Sequence, residues 1–372
     1  MDSRRLIALA QCAAFTLVAV ATCAQEEGRN VTTRPPDKSA ITCLGVFGAP
    51  DQIWERGERL SDYHINAVFV GHGSLTRDLV TRCHREGAKV YAEFGVFMGA
   101  SLADEYPELW PINAEGDPQQ KDEWYLGLCP TVEWHREAKL ERVREVAAEF
   151  EIDGLWLDFI RFPGHWEMHP PRLEQGCFND SCLEAFTEAT GVELPPGTNA
   201  RKAEFILNTL ADEWTAFKCD LIRDFCRQAG RILKEERPDA LLGAFVVPWT
   251  DENYDDAIHS IIAQDFTKLA DTLDVFTPMS YHAMCGWPVE SVGEFNEYLT
   301  DKTGRDVWPI VQATERDGRY EDAPVDAGEF REALTQGLSG GASGVLMFRL
   351  ADCTDTNEKL QVIKEVYGEL AE

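Results

Sequence analysis

A closed (β/α)8 barrel of the TIM type is the fold the sequence predicts, on three observations. From Ile41 onward, short apolar β-rich runs alternate with longer amphipathic stretches, as repeated βα units on a parallel sheet require. Eight such runs occur, each nearly continuous in apolar residues, the pattern of strands buried on both faces. After the first run, residues 45–50 read Gly-Val-Phe-Gly-Ala-Pro. That is not the glycine-rich phosphate turn expected of a doubly wound open sheet.

The elements follow in order. Arg4 and Arg5 precede an apolar run from Leu6 to Ala21, and Thr22-Cys23-Ala24 offers a small-residue cleavage site. Residues 1–24 therefore read as a signal peptide, and the protein as exported, secreted or periplasmic. The alternative is a lipoprotein signal acylated at Cys23, for which Thr22 is a poor fit. No later stretch approaches the ~20 apolar residues of a membrane span. Residues 25–40 are polar, proline-bearing and aperiodic, a flexible leader. A single barrel domain then runs over 41–372. Its strands are expected at 41–48, 65–71, 89–97, 154–162, 240–248, 274–282, 307–313 and 344–350. Helical periodicity is clearest at 75–86, 132–150, 205–236, 255–272, 289–300, 327–338 and 357–370. Two connections, 98–131 and 163–204, are too long for plain turns. They leave the strand ends where barrel active sites lie.

The chain carries a formal charge of −30. Such a surface repels nucleic acid, whose phosphates need clustered Lys and Arg. A neutral sugar chain is indifferent to the field and a cationic one is attracted. Of eleven cysteines, Cys12 and Cys23 fall in the signal segment and nine remain. Cys43, Cys219 and Cys226 read as buried small hydrophobes. Cys177 and Cys182 flank a turn, and a local disulfide between them is expected in an exported protein. Zinc would need two more ligands; His165 and His169 are near in sequence, but nothing fixes a tetrahedral geometry. No metal is expected.

The sharpest segment is Ile152-Asp153-Gly154-Leu155-Trp156-Leu157-Asp158-Phe159-Ile160-Arg161-Phe162-Pro163. A carboxylate and a guanidinium end an otherwise apolar strand, so Asp158 must be bonded or face an open cleft. It either carries chemistry or pairs with Arg161 to hold a loop. Asp153 reads as a cap at the strand entry. This segment, with Asp274-Val-Phe-Thr-Pro-Met-Ser-Tyr-His282 and residues 344–350, resembles the glycoside-hydrolase-like barrel families of unknown function. Their fourth strand reads roughly Asp-Gly-Ile-x-Phe-Asp-Tyr-Ile-Arg-Tyr-Pro. The resemblance spans most of 41–350, and it implies a catalytic aspartate at Asp158 and a carbohydrate substrate.

Glycoside hydrolysis needs two carboxyl groups, one ionised and one protonated. No second one stands at a matching position, so candidates come from neighbouring strand ends. Glu93 lies within an apolar strand, where burial would raise its pKa as an acid requires; it could equally be a layer residue paired inside the barrel. Asp251 and Glu252 follow the fifth strand, although Thr250-Asp251 also reads as a helix cap. Glu315 follows the seventh. Trp110, Trp124, Trp166, Trp249, Tyr281 and Trp287 crowd the same face and either stack on sugar rings or pack the loops down. Arg161, Trp249, Tyr281, His282, Gln312 and Arg349 supply polar and aromatic directions for a hydroxyl-rich ligand. Such chemistry needs no organic or metal cofactor, and no nucleophile elbow or phosphate loop stands out. The competing expectation is a non-catalytic barrel that binds carbohydrate. Oligomeric state is not legible.

Overall fold

The computed structural model describes residues 33–122, 124–313, 325–354 and 357–371. Glu315 lies outside them, as does the expected signal segment. Among the described residues are nine parallel strands: β1 (Cys43–Phe47), β2 (Ala67–Gly71), β3 (Lys89–Gly95), β4 (Gly154–Asp158), β5 (Leu241–Val246), β6 (Val275–Ser280), β7 (Asp306–Val307), β8 (Ile310–Gln312) and β9 (Gly344–Phe348). β1 to β6 pair in succession, β6 pairs with β8, β8 with β9 and β9 with β1, so the sheet closes. β7 and β8 both pair with β6 and together make one barrel strand. The break falls at Trp308-Pro309, because proline has no N–H to give the ladder. The eight-stranded expectation is met with its seventh strand in two pieces.

The helical expectations differ in detail. The 205–236 pattern is two helices, Asn199–Thr209 and Ala211–Glu236, broken at Leu210. The 255–272 pattern supplies only Ala257–Ser260 and Phe266–Leu269. Tyr254, Asp255 and Asp256 before them, and Ala263 between them, hold positive φ, which no continuing helix permits. The long 163–204 connection contains its own helix, Asp180–Thr190. None of the described helices is long and apolar enough to cross a membrane. The described part of the expected leader is tied down. Arg34 pairs with Glu297 and Asp301, and Lys38 reaches the carbonyl of Glu369.

Strand alternation sends Phe69, Tyr91 and Trp156 into the lumen. Trp156 stacks on Trp308 at 5.4 Å and meets Phe69 at 5.0 Å and Tyr91 at 4.6 Å. Both indole N–H groups are satisfied, Trp156 donating to Thr277 Oγ1 at 2.8 Å and Trp308 to Ser343 Oγ at 3.0 Å. Gly243 makes room for this slab, since a Cβ there would lie 2.2 Å from the Trp156 ring. The aromatic layer closes the lower barrel, and polar groups gather above it.

The expected Cys177–Cys182 disulfide is not present. Both are free and buried. The Cys177 thiol donates to Asn179 Oδ1 at 2.7 Å, and Cys182, in the first turn of its helix, lies 3.4 Å from Cys129 instead. Both thiols converge on Cys129, the three sulfurs lying within 4.8 Å of one another. Cys43, Cys219 and Cys226 are buried and unbridged, as expected.

Candidate active site

Two carboxyls project into the lumen one step above the aromatic slab. Tyr91, Glu93 and Gly95 share one face of β3, and Trp156 and Asp158 the same face of β4. The register pairs Glu93 with Trp156 and Gly95 with Asp158, so Glu93 and Asp158 are diagonal neighbours at the C-terminal strand ends. Strand spacing and rise put their backbones about 8 Å apart. Both are half-buried.

Their environments divide them. Burial, then the charge of Asp158, pushes Glu93 up to about 8, opposed by the ammonium of Lys139. Burial pushes Asp158 up to about 6. There the Arg161 guanidinium and the Phe159 N–H, which donates to Asp158 Oδ1 at 2.7 Å, act in the opposite direction. Near neutral pH the pair holds one proton between its members, and Glu93 is pushed further up than Asp158. Glu93 sits against Gly71, where a Cβ would come 3.2 Å from its Oε2. Lys139, from the helix Glu133–Glu149, donates to the carbonyl of Gly95 at 2.7 Å.

β4 ends at Asp158, and Phe159 takes a left-handed conformation at φ 53°. That turn folds Arg161 inward until it is 1% exposed. Its guanidinium lies over the rings of Phe159 at 4.7 Å and Tyr125 at 5.6 Å, and 3.9 Å from Glu167. All three of its nitrogens are buried without a hydrogen bond of ordinary geometry. Beside it, His165 bonds Asp122 at 2.5 Å and stacks on Tyr125 at 5.2 Å, while Arg172 pairs with Asp122 at 2.8 Å. Trp124 meets His165 edge-on at 5.6 Å. On the opposite rim, Phe348 contacts Phe47 at 5.4 Å and Tyr281 at 5.5 Å. Arg349 follows on from Phe348 and pairs with Asp352.

The structure thus brings Asp158, Glu93 and Arg161 together, with Tyr281 and Arg349 at the rim. Four expected site residues are placed elsewhere. Trp249 is 1% exposed and packs on Tyr254, so it offers no face to a ligand. His282 is buried and bonds Glu329 of the helix Ala327–Gly337 at 3.0 Å. Gln312 is buried and accepts from the Met284 N–H at 3.1 Å, a structural bond. Glu252 is exposed on a turn whose neighbour Asp251 is tied to Lys302 at 2.7 Å.

Sequence reasoning missed Tyr125, Glu167, Asp122 and Lys139. The first three lie in the two long connections already singled out, but no periodicity marks which loop residues turn inward. The same connections also border a cavity of about 740 Å³ lined by Glu108, Glu133, Trp134, Asp180 and Asn199, apart from the carboxyl pair.

Comparison with solved structures gives the same architecture. A β-galactosidase from the psychrophilic Marinomonas ef1 superposes with TM-score 0.64 at 15% identity, over 89% of this chain and 60% of that one. The PgaB (BpsB) glycoside hydrolase domain from Bordetella bronchiseptica gives 0.63 at 16%, over 85% and 92%. An α-L-fucosidase from Paenibacillus thiaminolyticus gives 0.59 at 14%, over 89% and 49%. The chain thus spans about six-tenths of the galactosidase, half of the fucosidase and most of the PgaB domain. No protein-family model and no curated protein matches it in sequence.

Proposed function

We propose that this barrel is a glycoside hydrolase in which Asp158 is the nucleophile or base and Glu93 the acid. The observation that carries the reading is the pair itself: two carboxyls on adjacent strand ends in the barrel mouth, Asp158 pushed to about 6 by burial and Glu93 to about 8 by burial and the charge of Asp158. Near neutral pH one is ionised and the other protonated, the division glycoside cleavage requires. Asp158 attacks the anomeric carbon, or takes a proton from the attacking water. Glu93 delivers its proton to the departing glycosidic oxygen. Arg161 lies beside Asp158 and favours its charged form. Phe348 and Trp124, both half-buried, supply ring faces for a sugar. That several solved barrels of this shape are named as glycosidases supports the reading. We place the reaction outside the cytoplasm, because of the apolar segment that follows Arg4 and Arg5.

The test is a panel of polysaccharides and oligosaccharides offered to the wild type and to Asp158→Asn. Wild type should release reducing ends from at least one member. The amide keeps the shape but neither attacks nor accepts a proton. Turnover should therefore fall by about 10²–10⁴-fold, while calorimetric affinity for the same glycan stays within about threefold. Binding without turnover by the wild type across the panel would instead identify a carbohydrate-binding barrel. Full activity in Asp158→Asn would make Asp158 structural.

A further inference from the structure

We propose that Cys129, Cys177 and Cys182 form a metal site that takes a thiophilic divalent cation such as zinc and clamps together the two long loops beside the barrel mouth. All three are fully buried, and their sulfur atoms lie within 4.8 Å of one another. Cys129 closes the connection after β3, while Cys177 and Cys182 belong to the connection after β4. The closest pair, Cys129 and Cys182, is 3.4 Å apart. A tetrahedral zinc with Zn–S bonds of ~2.3 Å sets its sulfurs ~3.8 Å apart, close to this spacing. A disulfide needs ~2.05 Å between two sulfurs and leaves the third without a use.

Oxygen donors complete the shell. Thr131 Oγ1 lies 3.2 Å from the Cys129 sulfur and 3.0 Å from that of Cys182. Asn179 Oδ1 is 2.7 Å from Cys177. The Asn179 amide is held by its Nδ2, which donates to the carbonyls of Glu108 and Trp110, and its Oδ1 also accepts from the Ile112 N–H. Three thiolates and one of these oxygens would give the four ligands that tetrahedral zinc takes. Loading exchanges three thiol protons for one dication and leaves a net charge of −1. The buried ammonium of Lys218, whose charge interacts with Cys177 and Cys182, opposes that charge. Trp110 and Asn179 are fastened to the same cluster, so the ion would set how the loops bearing Asp122, Tyr125, His165 and Glu167 meet.

The test uses the full chain expressed with added zinc and purified with a phosphine reductant and no chelator. Elemental analysis should find about one zinc per chain. Cys129→Ser and Cys182→Ser should each lose it, and Cys226→Ser, in the separate helix Ala211–Glu236, should keep it. Should the serine variants fail to fold, the wild type stripped by chelator and given cobalt(II) alone decides. It should develop the intense visible bands and thiolate charge-transfer absorption of tetrahedral sulfur coordination, and zinc added back should raise its melting temperature. Wild type that holds no zinc and binds no cobalt overturns the proposal. So does unchanged zinc content in Cys182→Ser, or a Cys129–Cys182 disulfide in freshly isolated metal-free protein.

Discussion

Glu93 has a cost that can be measured without a substrate. Its folded pKa of about 8 lies above the ordinary value of 4.5, so the folded state holds a proton that the unfolded chain releases. Stability is then lost as pH rises from about 4 through about 8. Glu93→Gln keeps the neutral form at every pH. Thermal or urea melts should find the variant equal to wild type near pH 5 and more stable by roughly 2–4 kcal/mol at pH 9. An equal effect at both pH values would mean the carboxyl is not the strained group. At this scale the sequence was informative about Asp158 and Arg161, because charges at the end of an apolar strand need a reason. It left Glu93 open, since a buried carboxyl in a strand reads equally as a layer residue. Only the register, which sets it diagonal to Asp158, separates the two. Trp249 shows the limit from the other side: an aromatic after a strand end looks like a platform, and whether its face is covered depends on Tyr254.

The strands were legible because continuous apolar runs can only be buried on both faces. Their ends were less so. Residues 159–163 continue the apolar pattern of β4, yet the left-handed turn at Phe159 ends the strand and folds Arg161 back beneath Tyr125. The 255–272 pattern lost its helix to four residues at positive φ, a preference that alternation of apolar residues does not encode. Between elements, the helix Glu133–Glu149 sends Lys139 to the end of β3, where it holds Glu93 down. Lys139→Met should raise Glu93 further, moving the alkaline limb of a pH–rate profile upward with the acid limb in place. An unmoved alkaline limb would show that Lys139 serves only Gly95. The aromatic slab makes its own demand on β5. Gly243→Ala puts a methyl 2.2 Å from the Trp156 ring, and urea unfolding should register a loss of about 3 kcal/mol or more. A neutral result would mean that the slab shifts freely.

At the scale of the whole molecule, the barrel layers aromatic packing below and ionisable groups above along its axis. Trp156, Trp308, Phe69 and Tyr91 fill the lower lumen, and Glu93 and Asp158 stand directly above, in a low-dielectric floor that keeps one proton between them. Eight strands with long connections after the third and fourth could be read from the chain. How those connections fold onto one another could not, because the Cys129–Cys182 approach and the Arg161 pocket join residues with no local pattern. The proposed hydrolysis stands on Glu93 delivering the proton. The most direct test compares Glu93→Gln with wild type on an aryl glycoside of a sugar that the wild type cleaves, whose leaving group needs no acid, and on the corresponding natural linkage. Wild-type kcat/KM should be bell-shaped, with limbs near 6 and 8. The variant should lose about 10²–10⁴-fold on the natural linkage, keep most of its rate on the aryl glycoside, and show no alkaline limb. Equal losses on both substrates, or an alkaline limb that survives the substitution, would contradict the assignment.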